Sequence, residues 1–144
     1  MIISLQNLTP EKFKKYGEII APNPVRGERF QVIIDEPWAD GWRIAVSQVN
    51  RDSITKLGLH PNTRETFEPL TGISVIVVAS CESPEEIEAF LLDQPVCLYK
   101  NVWHATVSLS EISYLKIVEN SHVEQEVYTL ESALDIRITS GIYQ

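Results

Sequence analysis

The sequence is poor in basic residues, since 12 Lys and Arg stand against 20 Asp and Glu and the formal net charge is −8. A protein that binds the phosphate backbone needs a basic surface, so the composition argues against a nucleic-acid partner. The chain also lacks an apolar run of the roughly 18 residues that a membrane helix needs, and it lacks the basic start of a signal peptide. We therefore predict a cytoplasmic protein with no membrane partner.

Cysteine is scarce as well, because the chain has only Cys81 and Cys97. Their spacing is not CxxC, and two cysteines are too few for the disulfide framework of a small secreted domain. Free cysteine usually behaves as a small buried hydrophobic residue, and we predict this for both. A cysteine nucleophile would need a tertiary contact with a histidine, since neither cysteine is next to one in sequence.

The sequence has no internal repeat, no linker and no low-complexity block. Hydrophobic residues make up 44% and charged residues 22%, a composition typical of globular proteins and too apolar for a disordered chain. A chain of 144 residues has the size of one domain and buries a substantial core. We therefore predict a single domain over residues 1–144.

What the chain has in quantity is short apolar or alternating runs, separated by Pro, Gly, Asp and Asn. Runs of this length that are rich in Val and Ile predict strands, and their spacing predicts a mainly β sandwich or barrel. The predicted strands cover residues 30–34, 42–49, 54–59, 73–79, 96–99, 106–109, 113–118 and 125–130. Residues 133–144 predict a terminal strand or a docking arm.

Two helices interrupt this β pattern. A cap residue, a proline at the first helical position and a terminating glycine predict a short N-terminal helix over residues 9–17. The same kind of start, Ser83 and Pro84 followed by glutamates, predicts a second helix near 84–92. Residues 21–28 hold too many prolines and glycines for regular structure, so we predict a loop there.

The run Ile73-Ser74-Val75-Ile76-Val77-Val78-Ala79 is nearly continuous in apolar character. A strand of this kind is covered on both faces. A second chain on its outer face would explain the pattern, so we predict a homodimer.

Two of the three histidines of the chain lie in two segments, residues 60–72 and 99–104. His60 and Glu65 are five positions apart, and His104 follows some forty residues later. Imidazole nitrogen and carboxylate oxygen are ligands of divalent transition metals, so we predict a metal site of His60, Glu65 and His104, with the metal identity left open. The alternatives are two structural histidines and a solvated Glu65.

The spacing resembles the motifs of the cupin superfamily, whose members are small β-barrels of jelly-roll type. Its first motif runs histidine, any residue, histidine, a few residues, glutamate, six residues and glycine, and its second motif supplies another histidine. His60, Glu65 and Gly72 match the latter part of the first motif, and His104 matches the second. In such a barrel we expect a hairpin to place His60 and Glu65 on neighbouring strands, with Gly72 in the next turn and His104 on a strand across the barrel.

The residues around these positions narrow the resemblance. His60-Pro61, Phe67, Pro69-Leu70 and Asn101-Val102-Trp103-His104 are similar to the ureidoglycolate lyase family, with matching order and separation over roughly residues 5 to 130. The resemblance implies a cupin-like barrel, usually dimeric, that cleaves the small molecule ureidoglycolate to glyoxylate and urea during purine (allantoin) nitrogen recovery.

The chain departs from these patterns at several positions. Gly58 replaces the first cupin histidine, and Asn101 replaces the glycine that is usual before the second-motif histidine. The family commonly has an arginine at Leu59, a glutamine at Glu65 and His-Pro at Ala105-Thr106. Loss of the arginine weakens the expectation of a carboxylate-bearing substrate, because arginine is the usual bidentate partner of a carboxylate.

Three further residues are predicted to bind substrate: Asn101, Trp103 and Lys116. Trp103 is either a pocket wall or core, and Lys116 either replaces the missing arginine or lies on the surface. We expect a carbon–nitrogen lyase whose general acid and base are unassigned. Two alternatives stay open, a non-catalytic cupin-like module that binds a small molecule or regulates, and a metal-dependent enzyme that acts on another small acid. His122 and the acidic stretch over residues 119–131 are predicted to lie on a solvated surface.

Overall fold

A computed structural model describes residues 1–138 of the chain. Eleven strands and one short helix follow one another along these residues. Their bounds are β1 Ile2–Gln6, α1 Pro10–Phe13, β2 Gly17–Ile19, β3 Arg43–Asn50, β4 Ile54–Leu59, β5 Glu65–Thr71, β6 Ser74–Ser80, β7 Glu88–Leu91, β8 Val96–Leu98, β9 Val102–Ser108, β10 Ile112–Glu119 and β11 Glu126–Arg137. None of residues 1–138 forms a helix with the length and apolar character that crossing a membrane requires.

The strands form a closed six-stranded barrel and a five-stranded sheet. The barrel has the order β1-β11-β4-β9-β6-β7, and the sheet has the order β2-β8-β5-β10-β3. Side chains from the six barrel strands fill a barrel core, which includes Leu57, Leu59 and Val75. A second core, which includes Phe67 and Phe90, joins the sheet to strands β6, β7 and β9 of the barrel. The predicted mainly β, cupin-like barrel is confirmed.

Strand β6 contributes to both cores. Val75 and Val77 lie in the barrel core, whereas Ile76 and Val78 lie in the second core, and all four are fully buried. Successive side chains of a strand point to opposite faces, so a strand between two cores is apolar throughout. The chain itself covers both faces, which removes the reason given for a homodimer. The homodimer stays a prediction.

The N-terminal helix is confirmed, although it is short. The Thr9 hydroxyl caps it by accepting from the Lys12 N–H at 3.4 Å. Phe13 and Tyr16 are buried against Phe90, with ring centroids 5.3 and 6.2 Å from that ring. The chain then enters β2, so the helix ends four residues before the predicted glycine, Gly17.

The helix predicted near 84–92 is wrong. Residues 88–91 form β7, which pairs with β6 on one side and with β1 on the other. These ladders supply the backbone hydrogen bonds that a helix would make locally, and they place Ala89 and Phe90 in different cores. The signals at Ser83 and Pro84 mark turns instead, in which the Ser83 N–H donates to Ser80 and the Glu86 N–H donates to Ser83.

Other predictions are corrected at the strand level. Residues 30–34 form no strand, because no described strand pairs with them, and Phe30 is exposed. Seven predicted strands are confirmed within a few residues, those over 42–49, 54–59, 73–79, 96–99, 106–109, 113–118 and 125–130. The structure also has strands β1, β2 and β5, whose extents the sequence did not predict. The terminal strand is part of β11 as far as Arg137, and residues 139–144 lie outside the described residues. Cys97 is buried as predicted, whereas Cys81 is exposed, because it lies in the turn after β6.

Gly72 makes the predicted turn between β5 and β6. Its φ of +75° lies in the left-handed region, and a Cβ there would lie 2.7 Å from both Ile112 O and Ser113 Cβ. We expect Gly72→Ala to lower the free energy of unfolding by about 2–4 kcal/mol, because backbone strain and a backbone clash add. Chemical denaturation of the purified variant measures this loss.

Gly27→Ala is the matched control for this prediction. Gly27 has the same φ of +75° but no atom within 4 Å of the added Cβ, so only the backbone term applies. We expect it to lower the free energy of unfolding by about 1 kcal/mol. Equal losses in the two variants would contradict the packing constraint at Gly72.

Candidate metal centre

Three side chains converge where the barrel meets the five-stranded sheet. His60 follows the end of β4, Glu65 is the first residue of β5, and His104 lies in β9. The Nε2 atoms of His60 and His104 are each 3.1 Å from the same oxygen, Glu65 Oε1. One potential ligand atom from each residue lies within 4.8 Å of the others. The structure thus brings the three predicted ligands together.

The route by which they meet differs from the predicted hairpin. Strands β4 and β5 are not neighbours, because β4 belongs to the barrel and β5 to the five-stranded sheet. Residues 60–64 cross from one to the other, so His60 and Glu65 face each other between two sheets. His104 does not lie across the barrel either, because β9 pairs with β4 and its register places Gly58 opposite His104.

Both imidazole rings are oriented by backbone carbonyls. His60 Nδ1 lies 3.0 Å from Glu124 O, and His104 Nδ1 lies 3.0 Å from Val102 O. A carbonyl oxygen only accepts, so each Nδ1 carries the hydrogen and each neutral ring presents a bare Nε2. Two nitrogen lone pairs are therefore directed at one carboxylate oxygen. Each of these two nitrogen–oxygen contacts is favourable only with a cation shared by the two atoms or with a proton on the nitrogen.

The chemistry of this donor set fits a divalent metal ion. Glu65 Oε1 is buried and has no hydrogen-bond donor of suitable geometry among residues 1–138. Ligand atoms that bind one transition ion at about 2.0–2.2 Å lie about 3.0–3.5 Å apart in tetrahedral or octahedral geometry. The two nitrogen–oxygen distances of 3.1 Å match that spacing. The set consists of two imidazoles and a carboxylate, which suits several transition ions, and its role as a metal centre stays a prediction.

The electrostatics of the cluster keep the carboxylate charged. Burial alone would raise the pKa of Glu65, but His104 and His60, which donate to this carboxylate once their Nε2 atoms are protonated, outweigh burial and lower the pKa to about 2. In that protonated form, the hydrogen bond to Glu65 raises the pKa of His60, although burial opposes it. A buried anion that persists at low pH is a suitable partner for a cation.

Glu119 also belongs to this region, although the sequence predicted a solvated carboxylate there. Its side chain is 7% exposed, and its Oε2 accepts from Arg43 Nη2 at 2.7 Å. Glu119 lies opposite Glu65 in the pairing of β10 with β5. Burial and the neighbouring Glu65 raise the pKa of Glu119, whereas Arg43 opposes this rise. Only the register of the two strands brings these acids together, so the sequence carried no signal for it.

A hydrogen-bonded clamp holds the loop on which the His60 ring rests. The Asn62 Oδ1 accepts from the Glu124 N–H at 2.8 Å, and the Asn62 Nδ2 donates to His122 O at 2.8 Å. The Asn120 Nδ2 donates to Asn62 O at 3.0 Å, and the Asn120 N–H donates to Thr63 Oγ1 at 2.9 Å. Residues 60–64 and 120–125 are thus fixed against each other. The sequence predicted only a solvated surface for residues 120–125, so it carried no signal for this clamp.

Asn101 takes part through its backbone. Its N–H donates to His60 O at 3.0 Å, which ties the second motif to the first. Its φ of 64° lies in the left-handed region, where asparagine is better tolerated than most residues. This explains why asparagine can replace the usual glycine. Its side chain is exposed.

The structure does not bring the other two predicted substrate-binding residues to the cluster. Trp103 points into the barrel core, on the opposite face of β9 from His104, and donates from Nε1 to Cys81 O at 3.2 Å. Lys116 lies on the outer face of the five-stranded sheet, where its Nζ is 3.0 Å from Glu68 Oε2. His122 is exposed, as predicted.

Neither cysteine lies in the cluster. Burial raises the pKa of the Cys97 thiol to about 11, so this group stays protonated at neutral pH. Cys81 lies in the exposed turn after β6. The cluster therefore has no thiolate nucleophile.

A barrel whose two imidazoles and one carboxylate point at one position defines the class of cupin-like proteins with a candidate metal centre. Within this class, the family model described as Ureidoglycolate lyase matches residues 44–137, which is more than half of the chain. The chain belongs to the ureidoglycolate lyase family. His60, Glu65 and His104 all lie inside the matched range.

Two solved structures are similar to the chain at low identity. A dTDP sugar isomerase from Desulfovibrio desulfuricans G20 aligns at 13% identity and a TM-score of 0.49, over 72% of this chain and 74% of that one. A serine-to-alanine mutant of Bacillus subtilis oxalate decarboxylase aligns at 13% identity and a TM-score of 0.45, over 63% of this chain and 24% of that one. No curated protein matches the chain.

The convergence of three donors predicts that His104→Ala weakens metal binding. Removal of one of three ligands leaves His60 and Glu65, so we expect the variant to retain little zinc, manganese or other divalent ion after desalting. Elemental analysis of the purified protein measures bound metal. In addition, a saturating ion should raise the Tm of the wild type but not that of the variant.

His122→Ala is the matched control, since His122 is an exposed histidine whose side chain lies outside the cluster. We expect it to retain metal as the wild type does. Equal metal content in the His104→Ala variant and the wild type would contradict the assignment.

Proposed function

We propose that this protein is a metal-dependent ureidoglycolate lyase that releases glyoxylate and urea from ureidoglycolate. The observation that carries the proposal is the convergence of His60, Glu65 and His104 inside the range that matches the ureidoglycolate lyase family. Such a set with free coordination positions accepts substrate oxygens. A cytoplasmic location and a small-molecule substrate as the partner remain predictions from the sequence.

The reaction defines what the site has to do. Ureidoglycolate has a hydroxyl and a ureido nitrogen on the same carbon, next to a carboxylate. Cleavage removes the hydroxyl proton, breaks the carbon–nitrogen bond as the carbonyl of glyoxylate forms, and delivers one proton to the departing urea nitrogen. A divalent ion held by His60, Glu65 and His104 would supply Lewis acidity that lowers the pKa of this hydroxyl and would bind the adjacent carboxylate.

The residues of the chain orient the two imidazole rings and provide an apolar side chain next to them. The carbonyls of Glu124 and Val102 fix the two rings, so neither Nε2 has to reorient when a ligand binds. Phe67 is buried and packs edge-on against the His104 ring, with ring centroids 5.6 Å apart. This contact excludes water from one side of the cluster, which strengthens electrostatic interactions there.

Two departures from the family pattern do not reach this site. Leu59 directly precedes His60, and Ala105 directly follows His104. Their side chains therefore point away from the cluster, and both pack in the barrel core. The absence of an arginine at 59 or a histidine at 105 therefore removes no group from the cluster in this structure. These two positions therefore give no support to the alternative of a non-catalytic module.

The proposal predicts that the metal-loaded wild-type protein releases urea and glyoxylate in equal amounts from ureidoglycolate. Coupled assays for the two products measure this, with the spontaneous decay of the substrate subtracted. Chelation should abolish the release, and the divalent ion should restore it. Product release at the spontaneous rate by fully loaded protein would contradict the proposed function.

We further propose that the protein acts as a homodimer. Edge strand β3 and the segment before it expose large apolar side chains, among them Trp38, Trp42, Ile44 and Val46, at 95%, 69%, 57% and 66%. Exposed apolar surface next to a strand edge that pairs with no other strand among residues 1–138 is costly in water and suits a second copy of the chain.

Light scattering after size exclusion tests the dimer. We expect a mass twice that of the 16.3 kDa chain for the wild type and a shift toward one chain for Val46→Lys. A wild-type mass of one chain across the accessible concentration range would contradict this proposal without affecting the metal centre.

A further inference from the structure

Gly58 leaves a space beside the cluster. It lies in β4 opposite His104 of β9, and it lies on the same face of its strand as His60, because the intervening Leu59 points into the barrel core. A side chain at residue 58 would therefore extend toward the two histidines. Its absence leaves this position open to another group.

The side chain of Gln125 occupies this space. Its Cδ lies 3.7 Å from the position that a Cβ of residue 58 would take, and its Nε2 and Oε1 each lie 3.9 Å from it. Gln125 is exposed, so its carboxamide is accessible from solvent. We propose that Gln125, packed over Gly58 beside the His60, Glu65 and His104 cluster, binds the ureido group of the substrate and determines specificity for it.

The backbone next to Gln125 is held from two sides. The carbonyl of Glu124 lies 3.0 Å from His60 Nδ1, and the N–H of Glu124 donates to Asn62 Oδ1 at 2.8 Å. The residue that fixes the His60 ring thus directly precedes Gln125. This coupling holds the backbone next to Gln125 in place relative to His60, as a specificity residue requires.

The chemistry of a carboxamide complements that of a ureido group. Glutamine presents a carbonyl acceptor and an N–H₂ donor in one plane. A ureido group presents its own N–H donors and carbonyl in the same arrangement, so the two form a pair of parallel hydrogen bonds. The carboxylate and hydroxyl of the substrate are left for the cluster, where the candidate ligands converge. This inference rests on the proposed function.

The test uses a ligand that the lyase reaction cannot consume. N-carbamoylglycine keeps the carboxylate and the ureido group but lacks the hydroxyl, whereas glycolate keeps the carboxylate and hydroxyl but lacks the ureido group. Titration calorimetry on metal-loaded protein measures the Kd of each. For Gln125→Leu we expect a roughly tenfold weaker Kd for N-carbamoylglycine and an unchanged Kd for glycolate, because only hydrogen bonds to the ureido group are lost.

Two further variants sharpen the result. Gln125→Glu keeps the shape but replaces the N–H₂ donor with an acceptor, so we expect a similar loss for N-carbamoylglycine. Gln48→Leu is the matched control, since Gln48 is exposed in β3 and its side chain hydrogen-bonds Asn50 and Tyr114, neither of which belongs to the cluster. We expect it to bind both ligands as the wild type does.

Each other outcome has a defined meaning. If the wild type releases urea and binds both ligands, and Gln125→Leu does so with the same Kd values, the inference is wrong and the proposed function stands. If the loaded wild type neither releases urea nor binds N-carbamoylglycine, both the proposed function and this inference fail.

Discussion

The structure depends on a carboxylate oxygen that is buried between two imidazole nitrogens. Glu65 Oε1 lies 3.1 Å from each Nε2 and has no hydrogen-bond donor of suitable geometry among the described residues. Such an arrangement is unfavourable for neutral rings and an ionised acid unless a cation or protons enter between them. The structure nevertheless holds this arrangement in place: two backbone carbonyls orient the rings, and Asn62 holds the loop that carries one of these carbonyls. A polar group that is buried at such a cost indicates a function in binding.

The sequence predicts the barrel well because the barrel depends on local pattern. Alternation and short Val-rich and Ile-rich runs report burial on one or two faces, and this holds for β4 and β6 wherever these strands lie in the fold. The pattern fails at residues 84–92, where strong helix-start signals lose to pairing with β1 and β6. Those partners lie far away in sequence, so no local signal could report them.

The candidate site also contains residues that local sequence identifies and residues that it does not. His60, Glu65 and His104 could be identified from residue type and spacing, because metal chemistry restricts both. Glu119 and Gln125 could not, since their places depend on the register of β10 with β5 and on the missing side chain of Gly58. Trp103 shows the opposite error: it is next to His104 in sequence but on the other face of the strand. Because neighbouring residues of a strand face opposite sides, a shift of one position moves a side chain from the site to the core.

The clamp between residues 60–64 and 120–125 has a consequence for how the protein would diversify. Both segments pass from one β-sheet layer to the other at the same edge of the molecule, since the first joins β4 to β5 and the second joins β10 to β11. Residues 60–64 supply His60 of the cluster. Residues 120–125 supply both the Glu124 carbonyl that orients His60 and the Gln125 side chain over Gly58. Under the proposed role of Gln125, a substitution at this residue would alter the ligand-facing surface without entering either apolar core. Substrate preference would then change without repacking the core residues that stabilise the fold.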